Sequence, residues 1–166
     1  LSLNSLDLRS QLNPVTLSSI QKLIPANASL IEFATYRPLT KPQTRSYGPA
    51  RYIVYTLDQT GDIKWGDLGE CAPIDRAVAE FRQVLSTAKS DPGKEVSPHA
   101  RKVYELVMKP VTRLVGNHTQ LILSPDGELN LLPFGALITE KNKYLIERYS
   151  VSYVSSGRDL LRLQNQ

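Results

Sequence analysis

Apolar positions along this chain follow two different periods, and the changes between them set the order of the elements. In SLIEFATYRP (29–38) and ARYIVYTLD (50–58), β-branched and aromatic residues cluster as they do in strands. Asp58-Gln59-Thr60-Gly61 reads as a turn into DIKWGDLG, so these segments predict an antiparallel meander. Between the first two strands TKPQTRSYGP is polar and broken by Pro and Gly, which predicts a mobile loop. The period then becomes helical: after Pro73, a residue suited to a first turn, Ile74, Ala77, Val78, Phe81, Val84 and Leu85 share one side and Asp75, Arg76, Glu80 and Arg82 the other. A loop, KSDPGKEV, separates this helix from a second one, capped at Ser97-Pro98, striped by Val103, Leu106, Val107, Val111 and Leu114, and ended at Gly116. Pro110 should kink it, because proline lacks the N–H that the helix ladder needs.

Outside this middle region the signals are shorter. Thr16 is a suitable cap for TLSSIQKLI, whose Leu17, Ile20 and Ile24 form one face before Pro25 closes the helix. Residues 1–15 show no sustained period and read as an arm, with Leu3, Leu6 and Leu8 available to dock on a core. Downstream, QLILS (120–124) is a fully apolar run of the kind that forms a central parallel strand, stopped at Pro125-Asp126-Gly127. ELNLLPFGAL, interrupted by Pro133, reads as a short extended piece leading into a helical turn. RYSVSYVSS is a second strand, and Gly157 to Leu163 opens a helix. Strand, turn, helix, strand, helix is the start of a wound α/β sheet that looks unfinished.

Composition narrows the class without naming a function. A chain of 166 residues with 41% apolar and 22% charged residues can bury a real core and lies outside the disordered regime. No apolar run reaches the roughly 20 residues that cross a bilayer, and no secretory signal opens the chain, so a cytoplasmic protein without membrane contact is expected. It begins at Leu1 rather than Met and is read as a piece of a longer protein. The formal charge of +4 comes from dispersed basic residues interleaved with acidic ones, which favours a solvated mixed surface over nucleic-acid binding. Trp65, Tyr36, Tyr52 and Tyr55 sit in alternating strands and are expected to build a half-buried sheet face rather than a base-stacking platform. The glycines open no phosphate-binding loop, so no nucleotide is expected. The single Cys71 with His99 and His118 falls short of a metal set, so neither metal nor cofactor is expected. A nucleophilic Cys71 would need a base within reach and a lowered pKa, and a helix start can lower it; an ordinary semi-buried thiol is the favoured reading.

The C-terminal quarter carries a more specific signal. LILSPDGELNLLPFGALITEKNKYLIERYSVSYVSSGRDLLRL (121–163) resembles the CHAT domain, a caspase-like peptidase domain that usually follows tetratricopeptide repeats. The resemblance rests on Ser124-Pro125-Asp126-Gly127, on Leu132-Pro133-Phe134 with Ala136-Leu137, on Tyr144-Leu145-Ile146-Glu147 and on Ser155-Ser156-Gly157-Arg158. Leu30-Ile31-Glu32-Phe33, Leu68-Gly69-Glu70, Ile74-Asp75 and Phe81-Arg82 also look like the region preceding that core in bacterial members.

The resemblance implies an α/β fold, the N-terminal part of a caspase-like three-layer arrangement. In it an antiparallel meander and two amphipathic helices (1–118) precede the first parallel strand-helix-strand units (119–166). The family's catalytic His lies in a His-Ala-Thr-His-Gly-like segment and its Cys in a Ser-Ala-Cys-like segment, and this chain contains neither. The implied function is therefore that of an N-terminal fragment of a bacterial cysteine peptidase, inactive alone, whose partners are the rest of the same protein or a second copy and a protein or peptide substrate. The alternative is a non-catalytic CHAT-like interaction or regulatory module. Asp126 and Glu128, after the first core strand, are the implied substrate-pocket carboxylates for a basic side chain, although Pro-Asp-Gly by itself favours a plain turn in which Asp126 bonds its own backbone.

Overall fold

The computed structural model describes residues 15–88 and 92–163. Its centre is a five-stranded sheet in the order β5-β4-β1-β6-β7, formed by β1 (Ala28–Tyr36), β4 (Arg51–Leu57), β5 (Lys64–Glu70), β6 (Gln120–Ser124) and β7 (Ser150–Tyr153). β1 is the junction. It pairs antiparallel with β4 through Phe33↔Val54 and parallel with β6 through Leu30↔Ile122, so the meander and the wound part share one sheet. β7 then runs parallel to β6, with Leu121↔Val151. The expected α/β class is thus observed, with the meander and both helical stretches preceding β6 and β7.

Alternation along the strands assigns the two faces. Ile31 and Phe33, Tyr52 and Val54, and Leu121 and Leu123 point to the larger core. Helix α2 (Cys71–Thr87) covers them with Ile74, Ala77, Val78 and Phe81, the first part of the stripe read from the sequence, whereas Leu85, expected on the same side, is exposed. Helix α3 (Pro92–Val103) and helix α4 (Lys109–Val115) add Ala100, Val103, Val111 and Val115. On the other face Leu30, Leu57 and Ile122 pack with Ile20 and Ile24, at and just beyond helix α1 (Leu17–Gln21), and with Leu160 of helix α5 (Arg158–Leu163). Thr16 caps α1 as expected, its hydroxyl accepting from the Ser19 N–H at 3.1 Å.

Three expectations are corrected. The second helix starts at Pro92, not at Ser97-Pro98; Pro92 takes the first-turn position where a missing N–H costs nothing, and Pro98 lies inside the helix. The segment after β1 is a small hairpin, β2 (Leu39–Lys41) and β3 (Ser46–Tyr47), joined by a 3-10 turn, Pro42–Thr44, that ends on Arg45 at φ 49°. ELNLLPFGAL forms two 3-10 turns, Gly127–Leu131 and Phe134–Ala136, because Leu129 and Phe134 are pulled into the core while Pro133 forbids a continuous ladder. Where a kink was expected at Pro110, a π-helical stretch, Tyr104–Met108, lies just ahead of α4, whose first turn holds Pro110. The arm with Leu3, Leu6 and Leu8 lies outside the described residues.

Candidate functional site

Three parallel strands, β1, β6 and β7, end on the same side of the sheet, where α/β folds collect function. β6 runs out at Ser124-Pro125, and Asp126 caps the 3-10 turn that follows. Its Oδ1 accepts the Gly127 N–H at 2.9 Å; its Oδ2 accepts the Thr35 N–H at 2.8 Å and the Thr35 hydroxyl at 3.1 Å. Asp126 therefore ties the end of β6 to the end of β1 as well as turning the chain. Glu128, one residue into the turn, is exposed, and its backbone N–H donates to the Tyr52 hydroxyl at 3.1 Å.

Tyr52 is the residue that the sequence did not single out for this place. Its side chain is 1% exposed, and its hydroxyl donates to Asp75 Oδ1 at 2.8 Å while accepting from Glu128. One phenol thus joins β4, the second turn of α2 and the turn after β6. Burial, followed by the Asp75 carboxylate, pushes its pKa upward, so it stays a neutral donor at any physiological pH. An exposed counterpart lies further out, where Asp67 accepts from the Arg51 guanidinium at 3.0 Å and the Tyr36 hydroxyl at 2.7 Å, and is pulled down to about 2, chiefly by Arg51.

Cys71 opens α2 close to this cluster, but its setting opposes thiolate formation. The residue is 8% exposed, and burial raises its pKa, with Asp75 and Asp126 adding to the effect. The two histidines have other neighbours: His118 Nδ1 is 2.8 Å from the Ser29 hydroxyl, and His99 lies on α3 near Glu80. No Cys-His pair is assembled among the described residues. The aromatics divide as well. Tyr52 is core, whereas Trp65 is 62% exposed and faces Tyr55 across β4 and β5, so the expected half-buried face is open at that end.

The segment that builds this strand end also carries the likeness to known proteins. Residues 97–166 match the CHAT domain, whose family is related to caspase-like peptidases. Within the human proteins, the chain is similar to Tetratricopeptide repeat protein 28 of Homo sapiens, with 39% identity over 71 residues covering 38% of this chain and 3% of that protein. The chain thus spans a very small part of that relative's length. The resemblance read from Ser124-Pro125-Asp126-Gly127 onward falls inside the matched residues, and the relative's name agrees with the expected association with tetratricopeptide repeats. No helix among the described residues is long and apolar enough to cross a membrane.

Replacing Asp126 by Ala should cost about 2–3 kcal/mol, because three donors lose one acceptor and the two strand ends separate. Urea unfolding measures this, and an unchanged midpoint would show that Asp126 does not hold the strand ends together.

Proposed function

We propose that this chain is the scaffold portion of a CHAT-type cysteine peptidase of bacterial kind, acting in the cytoplasm on a protein or peptide, with the His-Cys dyad supplied by another segment. The observation that carries this reading is the lock of Asp126 on Thr35 and Tyr52 on Glu128. It fastens the carboxyl end of β6, within the stretch that matches the family, to β1 and β4, which lie before it. Peptide hydrolysis requires a thiolate activated by His and backbone N–H donors for the oxyanion, and Cys71, buried beside two carboxylates, is unsuited to the first role. In this reading Asp126 orders the turn and Glu128, exposed upon it, meets a basic substrate side chain.

The test is direct. The purified chain should not hydrolyse Arg- or Lys-containing reporter peptides, and the same chain joined to a dyad-bearing segment should do so. In the joined enzyme Glu128→Gln should lower kcat/KM for basic peptides by roughly tenfold, the loss of one charge-assisted hydrogen bond, with apolar peptides unaffected. Hydrolysis by the chain alone that disappears in Cys71→Ser would overturn the proposal.

A further inference from the structure

Basic residues are spread along the whole sequence, but their excess over acidic ones is not. Residues 33–57 hold Arg37, Lys41, Arg45 and Arg51 and no Asp or Glu, so the rest of the chain has 20 − 4 = 16 basic against 16 acidic residues. The whole formal charge of +4 therefore lies in this one stretch. Arg51 is matched by Asp67 at 3.0 Å. Arg37, Lys41 and Arg45 are exposed and make no ion pair among the described residues, unlike Lys64, Lys102, Lys109 and Lys143.

These three cations sit on the β2–β3 hairpin and its stem. β2 and β3 pair only with each other, and every residue of both is exposed. A two-stranded hairpin without a covered face is marginal in water. This one is held by the Gly48 N–H on the Pro38 carbonyl at 2.8 Å and the Thr40 hydroxyl on the Ser46 carbonyl at 3.0 Å. Its cross-strand apolar pair, Leu39 opposite Tyr47, is 49% and 59% exposed. Arg45 closes the turn at φ 49°, a conformation that Gly or Asn adopts more readily, so a cation is kept at the tip against the preference of its backbone. The hairpin continues β1 past its carboxyl end, where Asp126 holds Thr35, and so stands beside the candidate site.

An exposed apolar pair beside unmatched cations fits an anion that carries apolar side chains of its own. The positive stretch is short, and at its base Asp67 binds Arg51 and Glu70 lies opposite it, so a nucleic acid, charged at every nucleotide, would run onto carboxylates. A phosphate backbone also has no use for Leu39, whereas a peptide with apolar residues between its carboxylates engages both the cations and the pair. The chain itself does not supply such a segment. Residues 1–14, 89–91 and 164–166 each carry no net charge, and in a second copy Asp58, Asp67 and Asp75 already accept from internal donors. We propose that the hairpin at 37–47 docks an acidic, partly apolar segment of a partner protein. This goes beyond the peptidase reading and does not depend on it.

Binding is measured by fluorescence anisotropy on the chain alone, at about 0.1 M salt, where exposed charges still attract over short distances. A labelled peptide in which Glu alternates with Leu should bind saturably, and one in which Glu alternates with Ser roughly fivefold more weakly. Lys41→Glu combined with Arg45→Glu should weaken binding of the first peptide by roughly tenfold or more with circular dichroism unchanged, since both positions are exposed. Leu39→Ser should weaken it by roughly fivefold and leave the Ser-containing peptide unaffected. The proposal is overturned if the Leu-containing peptide does not bind, or if its binding survives the double charge reversal or Leu39→Ser. Tighter binding of single-stranded RNA of equal charge, or a dimer of the chain that the charge reversal dissociates, would overturn it as well.

Discussion

Phe134→Ala is expected to lower Tm by roughly 10–15 °C, the largest single loss available in the part of the chain that matches the CHAT family. Phe134 has no exposed surface, and its ring lies 5.8 Å from Phe33 and 6.3 Å from Tyr153, so it bridges β1 and β7 above β6. It reaches that place because Leu132 ends one 3-10 turn and Pro133 directly opens the next, turning the ring onto that same face of the sheet. Truncation removes a buried aromatic and leaves a void between rigid strands that cannot close over it, at a cost of about 3–5 kcal/mol. Against a total stability of about 5–15 kcal/mol, this puts the domain close to unfolding. Phe134→Leu, which keeps most of the volume, should lose less than half as much. Equal losses in the two variants, read by calorimetry, would mean that ring packing is not the cause.

Gly127→Ala should be nearly as damaging, although it adds only one methyl group. Gly127 sits at φ +56°, where a Cβ costs about 1–2 kcal/mol, and the added atom would lie 2.6 Å from the Tyr52 hydroxyl oxygen. That oxygen is held by Asp75 and Glu128, so moving it also breaks two hydrogen bonds, each worth about 1 kcal/mol. The expected total is about 3–4 kcal/mol. Tyr52→Phe removes the atom in the way, so the double variant should be less destabilised than the sum of the two single ones. Strict additivity in urea unfolding would place the damage in backbone strain alone.

The five strands of the main sheet, α2 and the turn at Asp126 were legible in the sequence because each depends on local periods or on a proline or glycine in a fixed place. β6 was read at its true bounds, since an apolar run ended by Pro-Asp-Gly has few alternatives. The start of α3 was misread because two prolines, Pro92 and Pro98, both satisfy first-turn geometry, and only packing chooses between them. Tyr52 escaped notice for a different reason. Its partners Asp75 and Glu128 lie 23 and 76 positions away, and no local pattern marks a phenol that will meet them. Asp126 was singled out, but its bonds to Thr35 depend on β1 lying beside β6, which the chain order does not reveal.

The position of β1 between an antiparallel and a parallel neighbour bears on how the chain folds as it leaves the ribosome. Its pairing with β4 closes a loop of a few dozen residues, as Leu30↔Leu57 shows, and can form early. Its pairing with β6 joins Leu30 to Ile122, a separation of 122 − 30 = 92 residues, and must wait until that whole stretch has been made. During that interval the inner edge of β1 is open, and loop closure over such a distance is slow. The nascent meander is then the species most exposed to mispairing, and a chaperone that shields β1 until QLILS emerges would raise the yield of native protein more than one acting on the finished chain.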